Sequence, residues 1–398
     1  MIRSRRVRCP FNGLAFPAAR GAVLVMVCCL LCACSFKKSE VTASLDSSAG
    51  PPLFTPLGQR GAFPVPPQEA ERLSRDLHTR YQGLRTFNEL AYPISQSLAY
   101  ASSRPASAAA VQQPGLTVTY GQLAAGLQHL QRILPRLDSD PGILARDFIW
   151  YRIGPDFGFT GYYEPTLRAS RKKSAAYPYP LYKVPPDLRK GVPYHTRNAI
   201  DRRGALAGRG LEIAWVSSEM DAFFLHIQGS GRLVFEDGSV SHVLYAGKNN
   251  RAYVPLGRVM RDQGLLEPDN VNMQSIRECL LGNPEKCAEL YDTNPSYIFF
   301  READKGPIGA MGRPLTPYVS TATDRSVLPH GSLVFSIVPL PDAAGQPGRP
   351  FYGLTLPQDT GGAIKGHRVD LFCGADKDAA HIAGYLNVKG AVYILVKK

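Results

Sequence analysis

Short segments rich in aromatic and β-branched residues, separated by Gly, Pro and Asp, dominate the chain from residue 157 to its C-terminus. Such segments predict strands joined by turns, with few helical patterns between them. The scarcity of helices argues against a parallel βαβ sheet and favours β-barrels or sandwiches. The segments are FTGYYEP, LYKVP, LEIAWV, AFFLHIQGSGRLVF, SHVLYAG, SYIFFRE, SLVFSIVPL, FYGLTLPQD, HRVDLFCG and GAVYILVKK.

Helical patterns precede this region and interrupt it once. In YGQLAAGLQHLQRILPRL the leucines and isoleucine recur at helical spacing, and Pro135 is expected to end the helix. Residues 143–150 predict a second short helix, and residues 268–292 predict a helical segment among the strands. A chain of 398 residues is long enough for one to three domains.

The first 33 residues have the layout of a secretory signal peptide. Five arginines and no acid precede the apolar run GAVLVMVCCLLCA, which is too short to span a bilayer comfortably. The run ends in LCAC, which resembles the cleavage box of bacterial lipoproteins; a simple membrane anchor or an ordinary cleavage site are the alternatives. We therefore expect a mature chain that starts at a lipidated Cys34 on the periplasmic face of the outer membrane. Residues 35–75, rich in Ser, Ala, Pro and Gly, would form the tether.

The positive charge of the chain does not predict nucleic-acid binding. Five arginines leave with the signal peptide, so the formal charge falls from +13 to +8. The sequence contains no dense basic helix and no RNA- or DNA-binding motif. A moderate positive charge suits a polyanionic surrounding such as a cell wall or a lipid surface.

Four of the eight cysteines remain in the mature chain. Cys34 is assigned to the lipid. Cys279 and Cys287 lie eight residues apart across CLLGNPEKC, and an exported protein permits a disulfide there, with two thiols as the alternative. Cys373 is expected to stay a thiol. The spacing of the cysteines does not suggest a zinc site.

Two carboxylates lie close together near the C-terminus, Asp359 and Asp370 in QDTGGAIKGHRVDLFCG. An exported β-rich protein with aromatics and acids is a candidate for carbohydrate chemistry, because aromatic rings stack on sugars and carboxylic acids protonate glycosidic oxygens. Asp324 in STATDRS is a third candidate acid. An Asp in a turn more often caps the backbone, so each acid taken singly is better explained as structural.

Two further segments carry polar residues among their apolar ones. FTGYYEP holds a hydroxyl, two phenols and an acid, but taken alone it is better explained as a strand with core aromatics. HIQGSGRL has neither the GK[ST] of a phosphate loop nor the spacing of a nucleophile elbow. Taken alone it predicts a tight hairpin whose Gln and Ser could bind sugar hydroxyls. His226 is expected to be a packed or surface residue rather than a ligand.

Five segments in one order carry a family resemblance: FTGYYEP, HIQGSGRL, NPSYIFFRE, GPIGAMGRPLTPYVSTATDRS and QDTGGAIKGHRVDLFCG. Together they resemble the MltA family of membrane-bound lytic murein transglycosylases, from about residue 148 to 398. Several long motifs in one order are more specific than a single glycine pattern. One local difference is Cys373, which stands where such proteins usually carry Trp.

The resemblance implies a mainly β fold, a double-psi β-barrel domain with an inserted second β domain and a few flanking helices. A groove between the two domains would hold a glycan strand. The implied division is a signal peptide at 1–33, a lipid-attached linker and N-terminal extension at 34–114, the catalytic barrel at 115–164 with 303–398, and the inserted domain at 165–302.

The resemblance also implies an activity. Such enzymes cleave the β-1,4 bond between N-acetylmuramic acid and N-acetylglucosamine in peptidoglycan and leave 1,6-anhydromuramic acid ends, which serves cell-wall turnover. By motif match Asp370 is the acid and then the base. Asp359 supports it through its charge or a hydrogen bond, and Thr160 holds it from the facing strand. The expected sugar contacts are Tyr163, Glu164, Gln228 and Ser230.

No metal and no organic cofactor is implied. The expected partners are peptidoglycan glycan strands and, through the lipid, the outer membrane; association with cell-wall synthesis or division complexes is left open. Two alternative functions stay open as well. A hydrolytic muramidase would use Asp359 or Asp324 to activate water and would leave reducing ends. A non-catalytic peptidoglycan-binding lipoprotein would bind sacculi without turnover.

Overall fold

The computed structural model describes residues 53–398, and Leu53–Lys398 form one compact unit. The predicted signal peptide, Cys34 and the first part of the predicted tether therefore lie outside the described residues. No helix in the described part of the chain is long and apolar enough to cross a membrane.

Strands account for about half of the regular structure between residues 53 and 398. In chain order they are β1 (Gly61–Pro64), β2 (Ala109–Gln113), β3 (Leu116–Thr119), β4 (Phe148–Tyr162), β5 (Thr166–Ser170), β6 (Tyr179–Tyr182), β7 (Glu212–Val216), β8 (Ser230–Phe235), β9 (Val240–Lys248), β10 (Ile298–Ala303), β11 (Ser320–Thr323), β12 (Val334–Pro341), β13 (Pro347–Asp359), β14 (Arg368–Phe372) and β15 (Asn387–Lys397).

The helices are short apart from one, and single 3₁₀ turns occur at Thr79–Gln82, Phe87–Leu90 and Pro284–Lys286. In chain order the α-helices are α1 (Pro67–Arg75), α2 (Ala91–Ser102), α3 (Tyr120–Leu137), α4 (Ile143–Asp147), α5 (Arg197–Asp201), α6 (Glu219–Gln228), α7 (Leu256–Asp262), α8 (Met273–Gly282), α9 (Cys287–Asp292) and α10 (Lys377–Tyr385).

Six strands close into a barrel. Around the ring their order is β4, β14, β11, β13, β12 and β15, and β15 pairs back with β4. The pairs β4–β14 and β11–β13 are parallel, so the barrel is not a simple meander. One apolar core joins the barrel to the helices packed on it; it includes Leu130, Trp150, Phe159, Phe335 and Leu371.

A second sheet is built from the chain between β4 and β11. Its strand order is β10, β9, β8, β5, β7 and β6, and it has its own apolar core around Leu233 and Phe300. Helices α6–α9 surround a further apolar cluster beside it. The part of the chain between β4 and β11 is called the second unit below. The predicted fold class, mainly β with a barrel and a second β unit, is confirmed. The domain boundaries themselves stay a prediction.

The helix predicted in YGQLAAGLQHLQRILPRL is confirmed as α3, which starts with a capping box between Thr119 and Gln122. Pro135 lies inside the last turn of this helix instead of ending it. The second short helix ends at Asp147, because Phe148 already begins β4. The helices predicted within residues 268–292 are confirmed as α8 and α9.

The strand predicted across AFFLHIQGSGRLVF is half wrong, because AFFLHIQ belongs to α6. Ser218 accepts a hydrogen bond of 3.1 Å from the backbone N–H of Asp221 and caps this helix, and two acids in its first turn favour the helix dipole. Gly229 ends it with a φ of 80°, and β8 starts at the next residue. The hairpin predicted for HIQGSGRL is therefore a helix-to-strand turn.

The tether is shorter than predicted at its C-terminal end. β1 pairs with β4, and α1 buries Ala70 and Leu73 in the main core, although both elements lie within residues 35–75. Pro67 starts α1, where the missing N–H of proline costs no hydrogen bond. The composition of residues 35–75 predicted a tether because α1 is mostly polar and offers few apolar residues that would mark a buried helix.

Candidate active site

Asp370 lies in the middle of β14. Its side chain points away from the barrel core, because Val369 and Leu371 on either side are buried in that core. Thr160 lies opposite Asp370 on the parallel strand β4 and donates a hydrogen bond of 2.7 Å from Oγ1 to its Oδ1. The structure thus brings together the two residues that the motifs paired.

The pKa of Asp370 is raised from 3.8 to about 6. Burial is the largest cause, because desolvation disfavours the ionised carboxylate. The hydrogen bond from Thr160 and the charge of Arg368 lower the pKa, whereas the charge of Asp359 raises it. A carboxyl group with a pKa near neutrality can donate a proton and later accept one.

Asp359, the last residue of β13, is held by three donors. Its Oδ2 accepts from the hydroxyl of Tyr162 at 2.9 Å, and its Oδ1 accepts from the backbone N–H of Ala310 and of Thr360, each at 2.8 Å. Burial raises the pKa of Asp359, and the three hydrogen bonds oppose this. Within residues 53–398 no hydrogen bond joins Asp359 to Asp370, so of the two predicted forms of support only the charge is present.

Tyr162 was missed as a site residue, although FTGYYEP contains it. Its ring is buried, and its pKa is raised well above 10.0, first by burial and then by the charges of Asp359 and Asp370. The phenol therefore stays neutral and donates a hydrogen bond to Asp359. This bond holds the supporting acid in place.

Asp324 caps a turn instead of facing the site. Its carboxylate accepts from the backbone N–H of Ser326 at 3.0 Å and of Gly366 at 2.8 Å, and these bonds help to lower its pKa. His226 is packed in the second unit as expected, with its Nδ1 accepting from the backbone N–H of Ile298 at 3.1 Å. Neither residue contacts the acids of the candidate site.

The glycines of the last motif serve turns more than close approach to a ligand. Gly366 and Gly374 have φ values of 61° and 111°, which side chains rarely adopt. Gly161 on β4 does meet close backbone: a Cβ there would lie 2.8 Å from Ala383 Cα and 3.1 Å from Cys373 Sγ. The close approach is thus between β4 and α10, within the protein.

Three of the four predicted sugar contacts lie at the junction of the two units. Gln228 Oε1 accepts from the backbone N–H of Tyr163 at 3.0 Å, and its amide lies 3.7 Å from Met273 Sδ. Ser230 begins β8, opposite Leu244. Tyr163 is partly buried, and burial raises its pKa. Gln228 therefore holds the end of β4, and Gln228, Tyr163 and Ser230 all stay predictions as sugar contacts.

Glu164, the fourth predicted sugar contact, is buried and paired. It is 1% exposed, and its carboxylate accepts from His242 Nδ1 at 2.7 Å and faces Arg232 at 3.3 Å. Its backbone N–H donates to the carbonyl of Gly374 at 2.8 Å. The carboxylate thus joins the end of β4 to the second unit, and a substrate contact of Glu164 stays a prediction.

Two residues near the acid were not found from the sequence, Arg368 and Tyr253. Tyr253 is 37% exposed, but the part of its ring near the phenol is shielded enough that desolvation raises its pKa, and the charges of Arg368 and Asp370 both act on it. Its loop is fixed by Asn249, which is 0% exposed and bonds four backbone groups. Tyr253 therefore brings an aromatic ring of the second unit towards the acid. No spacing in NNRAYVP signals this.

The three cysteines among the described residues make no hydrogen bond to Asp359 or Asp370. Cys373 is buried, and its Sγ contacts the carbonyl oxygen of Leu371 at 3.3 Å. No disulfide joins Cys279 to Cys287. Their sulfurs contact different backbone carbonyls instead, Leu265 for the first and Leu280 for the second, so the disulfide that the spacing allowed is not formed.

A cavity of about 240 Å³ lies in the second unit, and neither Asp359 nor Asp370 lines it. Arg197 and Asp201 are paired at its wall, at 3.4 Å. Because its charges are satisfied locally and it lacks the acid of β14, it is separate from the candidate site. In the described part of the chain no group of three His, Cys, Asp or Glu could hold a metal ion.

Two family models match the chain, the MltA specific insert domain at residues 158–301 and the 3D domain at residues 319–396. Membrane-bound lytic murein transglycosylase A of Vibrio cholerae is 37% identical over 241 residues, which cover 60% of this chain and 64% of that protein. The protein of the same name from Escherichia coli is 34% identical over 315 residues, which cover 72% of this chain and 85% of that protein.

Solved structures agree with these matches. A membrane-bound lytic murein transglycosylase from Agrobacterium tumefaciens has a TM-score of 0.71 at 32% identity, covering 85% of this chain and 98% of that chain. E. coli MltA with bound chitohexaose has a TM-score of 0.61 at 27% identity, covering 86% and 95%. The chain described here therefore belongs to the membrane-bound lytic murein transglycosylase A family.

Proposed function

We propose that this protein is a lytic transglycosylase that cleaves the β-1,4 bond between N-acetylmuramic acid and N-acetylglucosamine of peptidoglycan and leaves 1,6-anhydromuramic acid ends. The supporting observation is one partly buried carboxyl group, Asp370, with a pKa of about 6 and a hydrogen bond from Thr160. The names of the relatives and the chitohexaose complex of the E. coli protein support a glycan substrate.

In the proposed reaction protonated Asp370 donates its proton to the glycosidic oxygen as the C1–O4 bond breaks. The C6 hydroxyl of the same muramic acid attacks C1 and forms the C1–O6 bond. Asp370, now a carboxylate, accepts the proton of that hydroxyl. No water is consumed, and the acid returns to its starting state. One carboxyl group suffices because the nucleophile belongs to the substrate and needs no second binding step.

The state of Asp359 favours this reaction over hydrolysis. A hydrolase needs a second carboxylate that activates water or attacks the sugar. Asp359 is occupied by Tyr162 and two backbone donors, so it has little freedom to serve as that base. Its charge still contributes to the raised pKa of Asp370.

The test is digestion of purified sacculi in water enriched in ¹⁸O, with the products measured by mass spectrometry. Wild-type protein should release anhydro-muropeptides without ¹⁸O. Asp370→Asn should bind sacculi but lose at least about a hundredfold of the rate, because an amide cannot donate the proton. Asp324→Asn, which removes a turn-capping acid, is the matched control and should keep substantial activity.

Reducing ends that carry ¹⁸O would establish the hydrolytic muramidase instead. Binding of sacculi without any product would establish the non-catalytic lipoprotein. An Asp370→Asn protein that keeps more than about a tenth of the wild-type rate would move the acid to another residue.

We also propose that the protein is anchored through a lipid on Cys34 to the periplasmic face of the outer membrane. The support is the sequence LCAC after a short apolar run. Cys34→Ala should give a soluble or unprocessed protein in membrane fractionation. Wild-type amounts of this variant in the outer-membrane fraction would contradict the proposal.

A further inference from the structure

Arg368 presents a guanidinium group beside the acid with no partner assigned to it. It lies two residues before Asp370 on β14, so both side chains point to the same face. Within residues 53–398 the guanidinium makes no hydrogen bond and no ion pair, although it is partly buried and its charge acts on both Asp370 and Tyr253. Partly buried arginines usually have an anionic partner.

A second cation, Lys389, lies in the same row as Arg368, that is, among the residues that stand side by side on neighbouring strands of the barrel. Gly158 of β4 is opposite Arg368 on one side and opposite Lys389 of β15 on the other. Nothing lies within 4 Å of where a Cβ of Gly158 would be, so the space above it is open. Strands are about 4.8 Å apart, which places the two cationic residues about 10 Å apart across one glycine.

This row lies next to the row that holds the acid. Thr160 is opposite Asp370 and also opposite Asn387, two residues further along the same strands. Successive rows on one face are about 7 Å apart. A group bound above Gly158 would therefore be about one sugar ring away from the proton that Asp370 donates.

The surroundings of the row are positively charged. The pKa of His367 is lowered mainly by burial, and the charges of the exposed Arg60 and of Lys389 add to this. The carbonyl of His367 accepts from the backbone N–H of Gly158 at 3.0 Å. The nearest acid along β4, Asp156, is already paired with Arg152. No carboxylate in the described part of the chain is paired with either Arg368 or Lys389.

We propose that Arg368 and Lys389, with the open space above Gly158, form a carboxylate-binding subsite for the substrate. This inference rests on the proposed function and adds the recognition of an anion to it. Arginine suits a carboxylate because its planar fork can donate two parallel hydrogen bonds. The subsite would favour peptidoglycan over neutral glycans such as chitin.

Two parts of peptidoglycan carry a suitable carboxylate. The lactyl group on C3 of muramic acid has a free carboxylate only where the stem peptide has been removed. The stem peptide carries carboxylates of its own where it is present. Both sources offer the same chemistry to the guanidinium, and defined oligosaccharides with and without peptide distinguish them.

The test measures binding to an Asp370→Asn variant. This variant consumes no substrate and has no carboxyl group at position 370 that could titrate. The ligands are a peptide-free hexasaccharide of N-acetylglucosamine and N-acetylmuramic acid, the same oligosaccharide with stem peptides, and neutral chitohexaose. Arg368→Gln should weaken binding of a carboxylate-bearing ligand about tenfold, as expected for a lost charge-assisted hydrogen bond at a partly exposed site. Lys389→Gln should weaken it about threefold.

The affinity for chitohexaose should differ by less than about twofold among all these variants, because this ligand offers no anion to the lost cations. Arg368→Lys should recover part of the affinity. Lys397→Gln is the control: it removes the same charge from β15 eight residues further along. It should leave the affinity for every ligand unchanged, since about 27 Å separates the two lysines. Added salt should weaken binding of the anionic ligands more than that of chitohexaose.

A loss confined to the peptide-free ligand identifies the lactyl carboxylate, and a loss confined to the peptide-bearing ligand identifies the stem. Equal losses of affinity for the neutral and the anionic ligands, or no loss of affinity for any ligand, would contradict the proposed subsite. Because binding is measured without turnover, this outcome is separate from failure of the proposed reaction, which the products of wild-type protein decide.

Discussion

Replacing Thr160 by Val tests how the barrel sets the proton affinity of Asp370. Valine has nearly the shape of threonine, so the pairing of β4 is kept, but the hydrogen bond of 2.7 Å to Asp370 Oδ1 is lost. That bond lowers the pKa of Asp370, because it favours the carboxylate form. Its removal should therefore raise the pKa above the present value of about 6.

The size of the shift follows from the strength of such bonds. A hydrogen bond to a charged group contributes about 1.5 to 3 kcal/mol, and one pKa unit corresponds to about 1.4 kcal/mol. Because Asp370 is partly exposed, the lower figure applies, and we expect a rise of about one unit. Protonated Asp370 starts the reaction, so the alkaline limb of kcat/KM should move about one unit towards higher pH.

The assay is the rate of anhydro-muropeptide release from soluble glycan strands, followed from acid to alkaline pH. Thr160→Ser keeps the hydroxyl and should keep the wild-type limb. An alkaline limb that stays in place or moves to lower pH in Thr160→Val would refute the reasoning. A uniform loss of rate without a shift would show that Thr160 only positions the acid.

Three further predictions concern charge. Asp359→Asn should move the alkaline limb to lower pH in the same assay, opposite to Thr160→Val, because removing this charge lowers the pKa of Asp370. The free energy of unfolding in urea should be higher for Asp370→Asn than for wild type by up to about 3 kcal/mol above pH 6, and the two should be equal below pH 4. The reason is that the raised pKa of Asp370 costs the wild-type fold stability as pH rises towards about 6. Glu164→Ala should lower the free energy of unfolding by about 2 kcal/mol, because it removes the buried carboxylate that bonds His242 and the partly exposed Arg232. Asp187→Ala, the control that breaks an exposed pair with Arg209, should lower it much less.

The strands of the barrel could be predicted because their pattern is local. Short runs of aromatic and β-branched residues bounded by turn residues mark β12, β13 and β15 without knowledge of their partners. The contact between Thr160 and Asp370 could not be predicted in this way, because 210 positions separate the two residues along the chain. Only the order of the motifs, through the family resemblance, pointed to it.

Helix α6 shows where local pattern fails. Phe223, Phe224 and Leu225 have the aromatic and apolar character of a buried strand, and all three are buried in the structure. The capping residue Ser218 and the packing of the helix against two different cores decide the outcome. Such tertiary packing overrides β-propensity, which itself reflects packing more than backbone preference.

The place of Glu164 shows how a buried acid in a motif can hold two parts of the fold together. It follows β4 directly, and its carboxylate reaches His242 in the second unit. The chain returns towards the barrel past Gly306, where a Cβ would lie 3.3 Å from Glu164 Oε1 and 3.1 Å from His242 Nδ1. Both connections between the barrel and the second unit thus pack around one buried carboxylate. Because a buried carboxylate is costly to leave without its partners, this contact ties the end of the strand that carries Thr160 to the second unit. Glu164 therefore holds the second unit against the strand on which Asp370 depends.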